Sequence, residues 1–267
     1  MIQILPFLKW AGGKRWLLSI IDDLLPSGYN DYIEPFLGSG AVFFHLRPKN
    51  AILNDINTDL INTYIQIRDN YDELENFLME HQFSHSDEYY YKIRGIIPNC
   101  KIQRASNFIY LNRTCFNGLY RVNKNGVFNV PKGSKDKVLL ESDKFSEIST
   151  LLKNTTLKNI DFEKVIDDAN EGDFVFIDPP YTVNHNNNGF IKYNEMLFSW
   201  DDQLRLSNSI ISASQRGVSF IMTNADHESI RSLYNDHFET HSLTRNSVMA
   251  SKSNFRGKTT ELLVKNI

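Results

Sequence analysis

The sequence predicts an α/β protein whose largely parallel sheet is interrupted by an inserted domain. Short apolar strand candidates alternate along the chain with segments that carry apolar residues at helical spacing. This alternation favours a parallel sheet, because each helix returns the chain to start the next strand in the same direction. Between about residues 99 and 144 the composition becomes rich in Asn, Lys, Arg, Gly and aromatic residues, which indicates the insertion.

Six strand candidates and four helix candidates define the pattern. The strand candidates are residues 31–37, 51–55, 156–160, 173–177, 218–223 and 262–265. The helix candidates are residues 41–46, 58–79, 200–214 and 227–234. Within the insertion, Asn125-Gly126 is typical of a tight β-hairpin turn.

The overall composition is that of an ordinary soluble protein. Of the 267 residues, 41% are hydrophobic and 23% are charged. Two cysteines are too few for a disulfide framework or a zinc site. The first residues do not read as a signal peptide, and no apolar stretch approaches the roughly 20 residues of a membrane span. These observations predict a cytoplasmic protein.

The charge is distributed unevenly along the chain. The net charge is −3, yet residues 92–144 contain 11 Lys or Arg and 3 Asp or Glu. Residues 52–91, by contrast, contain 1 basic and 9 acidic residues. A polyanion needs only a basic face on its partner, so the basic segment at residues 92–144 favours nucleic-acid binding. The alternative is the ordinary fluctuation of charge along any chain.

A Gly-rich turn and a later carboxylate together indicate an adenosine-containing ligand. Gly38-Ser39-Gly40 follows the first strand candidate, but Phe43 stands where the dinucleotide fingerprint has its third glycine. Asp55 ends the next strand candidate, where a carboxylate accepts hydrogen bonds from ribose hydroxyls. The alternatives are an ordinary turn and a cap for the helix that begins near Asn57.

The sharpest signal is Asp178-Pro179-Pro180-Tyr181, directly after a buried apolar strand candidate. The prolines stiffen the chain and remove backbone donors. The Asp178 carboxylate and the Pro179 carbonyl can accept both hydrogens of an aromatic amino group, which favours a pyramidal nitrogen with an available lone pair. Tyr181 offers a face on which an extruded base can stack. The alternative is a strand-ending turn with a surface tyrosine.

Two further segments have weaker signals. Residues 7–14 join Trp10, a double-Gly turn and Lys14, which could form a nest for a carboxylate beneath an aromatic cover, or simply a surface loop. His81 and His85 are four residues apart, but no Glu beside His81 completes the metalloprotease pattern. We therefore predict a solvated helix end there, and no metal site.

Taken in order, these blocks resemble the Dam-type adenine methyltransferases, including those that accompany GATC restriction enzymes. The matching blocks are residues 7–14, 34–44, 54–60, 111–133 and 178–181, with weaker similarity through residues 223–226 and 261–264. The resemblance implies a Rossmann-type methyltransferase sheet with a mainly helical target-recognition domain, which carries a β-hairpin, inserted between the second and third strands. The implied domains are a catalytic domain that binds S-adenosylmethionine, residues 1–57 and 154–267, and a recognition domain, residues 58–153.

The resemblance also implies roles for individual residues. The catalytic residues would be Asp178, Pro179, Pro180 and Tyr181. The S-adenosylmethionine contacts would be Trp10, Lys14, Phe36, Gly38, Asp55, Phe162 and Asp178. The DNA contacts, centred on a hairpin formed by residues 112–121, would be Lys9, Arg113, Phe116, Asn117, Leu119, Arg121, Lys124 and Pro131. Such side chains suit the task, because Arg pairs with guanine, Asn with adenine, and an apolar group meets the thymine methyl.

Two blocks depart from the family pattern. Lys132 stands where the family has a phenylalanine in the block at residues 128–133, which bears on the target sequence. The block at residues 256–263 is looser than usual.

The expected activity is S-adenosylmethionine-dependent methylation of adenine N6 in duplex DNA, at GATC, by base flipping and without a metal. The expected setting is a bacterial cell, with a host or phage gene and a possible companion restriction endonuclease. Two alternatives stay open. One is methylation of another amino group, such as cytosine N4, RNA or protein glutamine; the other is a DNA-binding protein of this fold without catalysis.

Overall fold

The chain forms two compact units. The computed structural model describes residues 4–123, 126–183, 198–246 and 258–267. The first unit contains Met1–Arg15, Leu37–Lys49 and Asp55–Asn159, and the second contains Trp16–Phe36, Asn50–Asn54 and Ile160–Ile267. This division differs from the predicted domains, since residues near the N-terminus pack with the helical part: the Phe7 ring lies 5.1 Å from Tyr64 and 6.1 Å from Phe145. The functions of the predicted domains stay predictions.

Seven strands and eight α-helices form within the described residues. The strands are β1 (Tyr32–Glu34), β2 (Ala51–Asn54), β3 (Thr155–Lys158), β4 (Phe174–Ile177), β5 (Ser219–Ala225), β6 (Glu239–Asn246) and β7 (Lys258–Lys265). The helices are α1 (Ala41–Leu46), α2 (Thr58–Ser84), α3 (Asp87–Arg94), α4 (Lys101–Thr114), α5 (Phe145–Leu152), α6 (Phe162–Asp167), α7 (Trp200–Gln215) and α8 (Glu228–Tyr234).

The second unit holds six of these strands in the order β2-β1-β4-β5-β7-β6. β1 runs parallel to β2 and β4, and β4 runs parallel to β5, whereas β7 is antiparallel to both β5 and β6. The strand order reverses between β1 and β4, as it does in Rossmann-type sheets. The predicted α/β fold with a largely parallel sheet is therefore confirmed.

Burial explains why most strands were recognisable. All four residues of β4 are buried, and α6 and α7 cover the sheet with apolar side chains. The shared core is Val165, Ile166, Val175, Ile177, Leu206, Ile210, Phe220 and Met222. The sequence analysis missed β6, because its residues, Glu-Thr-His-Ser-Leu-Thr-Arg-Asn, lack the apolar alternation of a half-buried strand. β6 lies at the edge of the sheet, where polar side chains are tolerated.

The first unit is mainly helical. α2 packs against α4 and α5, and α3 packs against α4. The sequence analysis missed α4, because this helix is buried almost all round and so shows no amphipathic period. Across the described residues, the structure contains no helix with the length and apolar character that a membrane crossing requires.

His81 and His85 belong to the interior of this unit, so the predicted solvated helix end is wrong. His81 is 5% exposed, stacks on Tyr110, and bonds Tyr89 Oη at 2.9 Å and Ser106 Oγ at 3.3 Å. Burial lowers the pKa of His81 to about 4. His85 bonds Tyr110 Oη at 2.8 Å. Both histidines bond side chains of neighbouring helices, which their spacing in the sequence alone could not indicate.

Candidate active site and DNA-contacting surface

The Gly-rich turn packs against an indole ring in the first unit. Gly38 has a φ of 49°, and a Cβ atom there would lie 2.8 Å from Cδ1 of Trp10. Both the positive φ and the lack of space favour glycine. Tyr64 Oη donates to the Gly38 carbonyl at 3.3 Å, and the half-buried Trp10 stacks on Tyr120. Two residues predicted to bind the cofactor, Trp10 and Gly38, are therefore in contact.

Asp55 ties this turn to the start of α2. Its Oδ2 accepts a hydrogen bond from the Gly38 amide at 3.0 Å, and its Oδ1 accepts one from the Asn57 amide at 2.9 Å. Burial raises the pKa of the Asp55 carboxyl, and the two amide bonds oppose that rise. Asn57, not Asp55, caps the helix, since its side chain accepts from the Leu60 amide. Asp55 thus joins the predicted ligand turn to the helix that follows.

Lys14 lies against its own turn. It is 3% exposed, and its Nζ donates to the Gly12 carbonyl at 2.7 Å. The Gly13 amide donates to the Trp10 carbonyl at 3.2 Å, which closes the double-Gly turn. The double-Gly turn is therefore closed by hydrogen bonds, with the buried Lys14 side chain folded back on it.

Phe36 and Phe162 stack on each other in the second unit. Their ring centroids are 5.3 Å apart, and Phe198 packs against both rings. The Arg205 guanidinium lies 4.9 Å from the centroid of Phe162. Arg205 also forms ion pairs with the carboxylates of Asp161, Glu163 and Asp202. The sequence analysis named neither Phe198 nor Arg205, because no local pattern links them to Phe162.

Phe36 and Asp178 leave the sheet at the same edge. β1 and β4 are parallel neighbours, with Tyr32 opposite Phe174. Phe36 follows the end of β1 by two residues, and Asp178 follows β4 directly. The strand order reverses between these two strands, and open α/β sheets bind their ligands outside the carboxyl ends of the strands at such a reversal.

The Asp-Pro-Pro-Tyr segment is held by side chains from β5 and β7. Thr223 Oγ1 donates to Asp178 Oδ1 at 2.9 Å, and Tyr181 Oη donates to Glu261 Oε2 at 2.7 Å. Burial raises the pKa of Tyr181 well above its usual value, and the nearby charges of Asp178 and Glu261 add to the rise. The phenol therefore stays protonated and remains a donor. The sequence analysis gave Thr223 and Glu261 no role.

The predicted hairpin differs from the structure at its first residues. Asn112, Arg113 and Thr114 complete α4, and the chain then folds back through the isolated antiparallel bridges Cys115–Lys132 and Val122–Phe128. This irregular hairpin, residues 115–133, replaces regular strands. Lys124 and Asn125 lie outside the described residues.

The outer face of the irregular hairpin presents most of the predicted DNA contacts. Phe116 is 52% exposed, and Asn117, Arg121 and Pro131 are also exposed, while Leu119 is half-buried. Asn117 has a φ of 56°, so it lies on a sharp turn. Arg121 donates through Nε to Asn129 Oδ1 at 2.9 Å, which orients its guanidinium.

Lys9 lies beside this hairpin. The buried side chain of Asn112 accepts from the Lys9 amide at 2.9 Å and donates to the Lys9 carbonyl at 2.8 Å. A Cβ atom on Gly118 would meet Lys9 Cδ. The exposed Lys9, which sequence analysis grouped with the hairpin by resemblance alone, is thus fixed next to it.

Arg113 has a different environment from the one predicted. It is 7% exposed, and its guanidinium makes two hydrogen bonds to Asp143, at 2.6 and 2.7 Å. It also donates to the carbonyls of Phe7 and Val138. This corrects the prediction that Arg113 contacts DNA, because both terminal nitrogens of its guanidinium donate to partners inside the first unit.

The predicted site residues therefore fall into three groups. The first group is Trp10, Lys14, Gly38 and Asp55, and the second is the hairpin residues with Lys9; both belong to the first unit. The third group, in the second unit, is the Asp-Pro-Pro-Tyr segment with Phe36 and Phe162. Within the described ranges, no group of three or more His, Cys, Asp or Glu side chains is arranged to hold a metal ion.

Comparison with known proteins identifies the family. Residues 10–249 match the model of the D12 class N6 adenine-specific DNA methyltransferases. The chain belongs to this family. It is a DNA methyltransferase that acts on adenine N6, which confirms the predicted reaction on adenine N6 of DNA, and S-adenosylmethionine is the methyl donor that this family implies.

Individual relatives agree with the family match. The chain is 39% identical to the type II methyltransferase M1.LlaDCHI of Lactococcus lactis subsp. cremoris, over 99% of this chain and 96% of the relative. It is 32% identical to the DNA adenine methylase of Haemophilus influenzae, over 86% and 82%. It is 34% identical to the DNA N-6-adenine-methyltransferase of Escherichia phage P1, over 96% of this chain and 34% of the relative. A conserved hypothetical protein from Streptococcus pyogenes aligns with a TM-score of 0.33 at 11% identity, over 94% and 95%, a score too low to inform on the fold.

Proposed function

We propose that this methyltransferase flips its target adenine out of duplex DNA and holds the N6 amino group with Asp178 and the Pro179 carbonyl. The observation that carries the proposal is the hydrogen-bonded set after β4, in which Thr223 bonds Asp178 and Glu261 bonds Tyr181. Accepting both amino hydrogens withdraws the nitrogen from conjugation with the ring and makes its lone pair available. The face of Tyr181 stacks on the extruded base.

The S-adenosylmethionine site is proposed to include the Gly38 turn and Asp55. A carboxylate has about four acceptor positions, so the two amide bonds to Asp55 leave capacity for the ribose hydroxyls. The other proposed contacts, assigned by resemblance to the family, are Trp10 and Lys14 at the N-terminus, Phe36 and Phe162 for the adenine ring, and Asp178. When bound, S-adenosylmethionine supplies a methyl group on a positively charged sulfur.

The protein's own residues then act mainly by position. Pro179 and Pro180 fix the backbone that presents the carbonyl acceptor, and Thr223 fixes the carboxylate. The methyl group needs no further activation, and the amine proton leaves after transfer, so we propose that neither a strong base nor a metal takes part.

Asp55→Ala and Trp10→Ala are expected to weaken binding of S-adenosylhomocysteine by about tenfold to a hundredfold and to change duplex affinity much less. For Asp55 the reason is that a hydrogen bond to a charged group contributes about 1.5–3 kcal/mol, and for Trp10 it is the loss of an aromatic contact surface. Titration calorimetry measures the affinity. Asn57→Ala is the matched control, because it removes the cap of α2 and keeps Asp55, so cofactor affinity should not change. If both variants bind S-adenosylhomocysteine with wild-type affinity, the proposed location of the cofactor pocket is wrong.

The target sequence is proposed to be GATC, read by the outer face of the irregular hairpin together with Lys9. Exposed Asn117 and Arg121 carry the amide and guanidinium groups that pair with adenine and guanine, and Leu119 supplies an apolar group for the thymine methyl. Asn129 orients Arg121 through Nε, and this bond uses none of the four N–H donors on its two terminal nitrogens. Phe116 and Pro131 border this face, and Lys124 is assigned a phosphate contact. The similarity to type II methyltransferases supports a companion restriction endonuclease.

Arg121→Ala is expected to relax selectivity at one guanine, by about 1–3 kcal/mol of discrimination, because one bidentate base contact is lost. The measurement compares methylation rates on GATC and its single-base variants. Lys124→Ala is the contrast: losing a phosphate contact should lower affinity uniformly and reduce its salt dependence. If the wild-type enzyme does not prefer GATC, the proposed target sequence is wrong. If Arg121→Ala lowers the methylation rate equally on every sequence, Arg121 contacts the DNA backbone and not a base.

A further inference from the structure

Glu261 is a buried carboxylate that the reaction described above does not use directly. It lies on β7 opposite Ala225 of β5, is 2% exposed, and precedes three buried apolar residues, Leu262–Val264. A buried carboxylate is unfavourable unless hydrogen bonds compensate for the lost water. Its short bond from Tyr181 Oη, at 2.7 Å, supplies such compensation and joins it to the Asp-Pro-Pro-Tyr segment.

This bond restrains the one mobile part of Tyr181. The backbone before it is stiffened by Pro179 and Pro180, so the remaining freedom is rotation of the side chain about its two torsions. The bond to Glu261, with a further hydrogen bond between the hydroxyl and Thr223, fixes the far end of the ring, and the backbone fixes the near end. Because the pKa of Tyr181 is raised well above its usual value, the hydroxyl keeps its proton and remains the donor to Glu261.

The neighbouring strand acts on Asp178 in the same way. Thr223 of β5 bonds Asp178, and in the antiparallel register Thr223 is opposite Leu263 while Ala225 is opposite Glu261. Side chains two residues apart on a strand share a face, so Thr223 and Glu261 project from the same side of the β5–β7 pair. This pair therefore holds both functional side chains of the segment.

We propose that Glu261 is a positioning residue for the target base, which holds the Tyr181 ring in the orientation that stacks on the flipped adenine. This inference rests on the proposed role of Tyr181. A stacking surface fixed before the base arrives avoids the cost of ordering it during binding. The residue should therefore affect how the flipped base is held, and should not affect cofactor affinity.

The test is a double-mutant cycle with Glu261→Ala, Tyr181→Phe and the double variant, in the full-length enzyme. We expect each single variant to lower kcat by about tenfold to a hundredfold, and the double variant to be no worse than the poorer single variant, because the restraint from Glu261 is lost in all three. Glu261→Gln, whose amide oxygen still accepts from the phenol, should recover most of the activity. Glu239→Ala, which removes a half-exposed carboxylate from β6, is the control and should leave kcat unchanged.

A second readout follows the base itself. A duplex with 2-aminopurine in place of the target adenine reports on stacking through its fluorescence, and we expect Glu261→Ala and Tyr181→Phe to change the signal of the flipped base equally. Additive losses in the cycle, or a wild-type fluorescence signal in Tyr181→Phe, would overturn the proposal even if Glu261→Ala failed to fold. Failure of the proposed function is a separate result, since wild-type enzyme would then give no fluorescence change on binding the duplex.

Discussion

Asp178→Ala is expected to lower kcat by at least ~10²-fold while duplex binding stays near the wild-type level. Removing a hydrogen-bond partner that acts on the reacting group typically costs about 2.7–4 kcal/mol in the transition state. The loss falls on chemistry and not on DNA affinity, because the DNA-reading residues are proposed to lie on the irregular hairpin. Thr223 donates a hydrogen bond to the Asp178 carboxylate and so orients it. Alanine at position 178 has no acceptor to replace that carboxylate.

Single-turnover methylation and a duplex-binding titration measure the two quantities separately. The control is Asp201→Ala, which removes an exposed carboxylate from the start of α7 in the same unit and should leave both unchanged. Turnover of Asp178→Ala within tenfold of wild type would refute the assignment of this residue. Loss of duplex binding in parallel with activity would instead indicate a role in DNA affinity.

Arg113→Ala should lower the free energy of unfolding by about 3–5 kcal/mol, the usual cost of removing one partner of a buried ion pair. The side chains of Arg113 and Asp143 are 5% and 8% exposed, so Asp143 would be left charged and buried. The carbonyls of Phe7 and Val138 would also lose a donor. These contacts join the N-terminal segment, α4 and the chain before α5.

Urea denaturation measures this loss, and Arg121→Ala is the matched control, because it removes an exposed arginine from the same unit. We expect the control to unfold like wild type and to change target selectivity. The double variant Arg113→Met/Asp143→Leu should recover much of the stability, since no charge is then left unpaired. If Arg113→Ala unfolds like wild type but binds DNA poorly, the original prediction of a DNA contact is restored.

The features that the sequence indicated most clearly are those encoded over a few consecutive positions. Asp178-Pro179-Pro180-Tyr181 follows a fully buried strand, and both features are visible in eight residues. The Gly38 turn was recognisable because positive φ and close packing leave little choice but glycine. The strands of the parallel sheet were found for a similar reason, since burial on both faces gives continuous apolar runs.

The sequence by itself determined the α/β class and the family, and it singled out the segment for which a catalytic role is proposed, because these depend on local composition and on the order of short motifs. Only the tertiary structure decided that Arg113 is an interior ion-pair partner, that Glu261 meets Tyr181 across 80 residues of chain, and that Arg205 packs on Phe162. A charged residue has the same letter whether it faces DNA or a buried carboxylate. What distinguishes the two is the loss of water around it, and that depends on segments far away in the sequence.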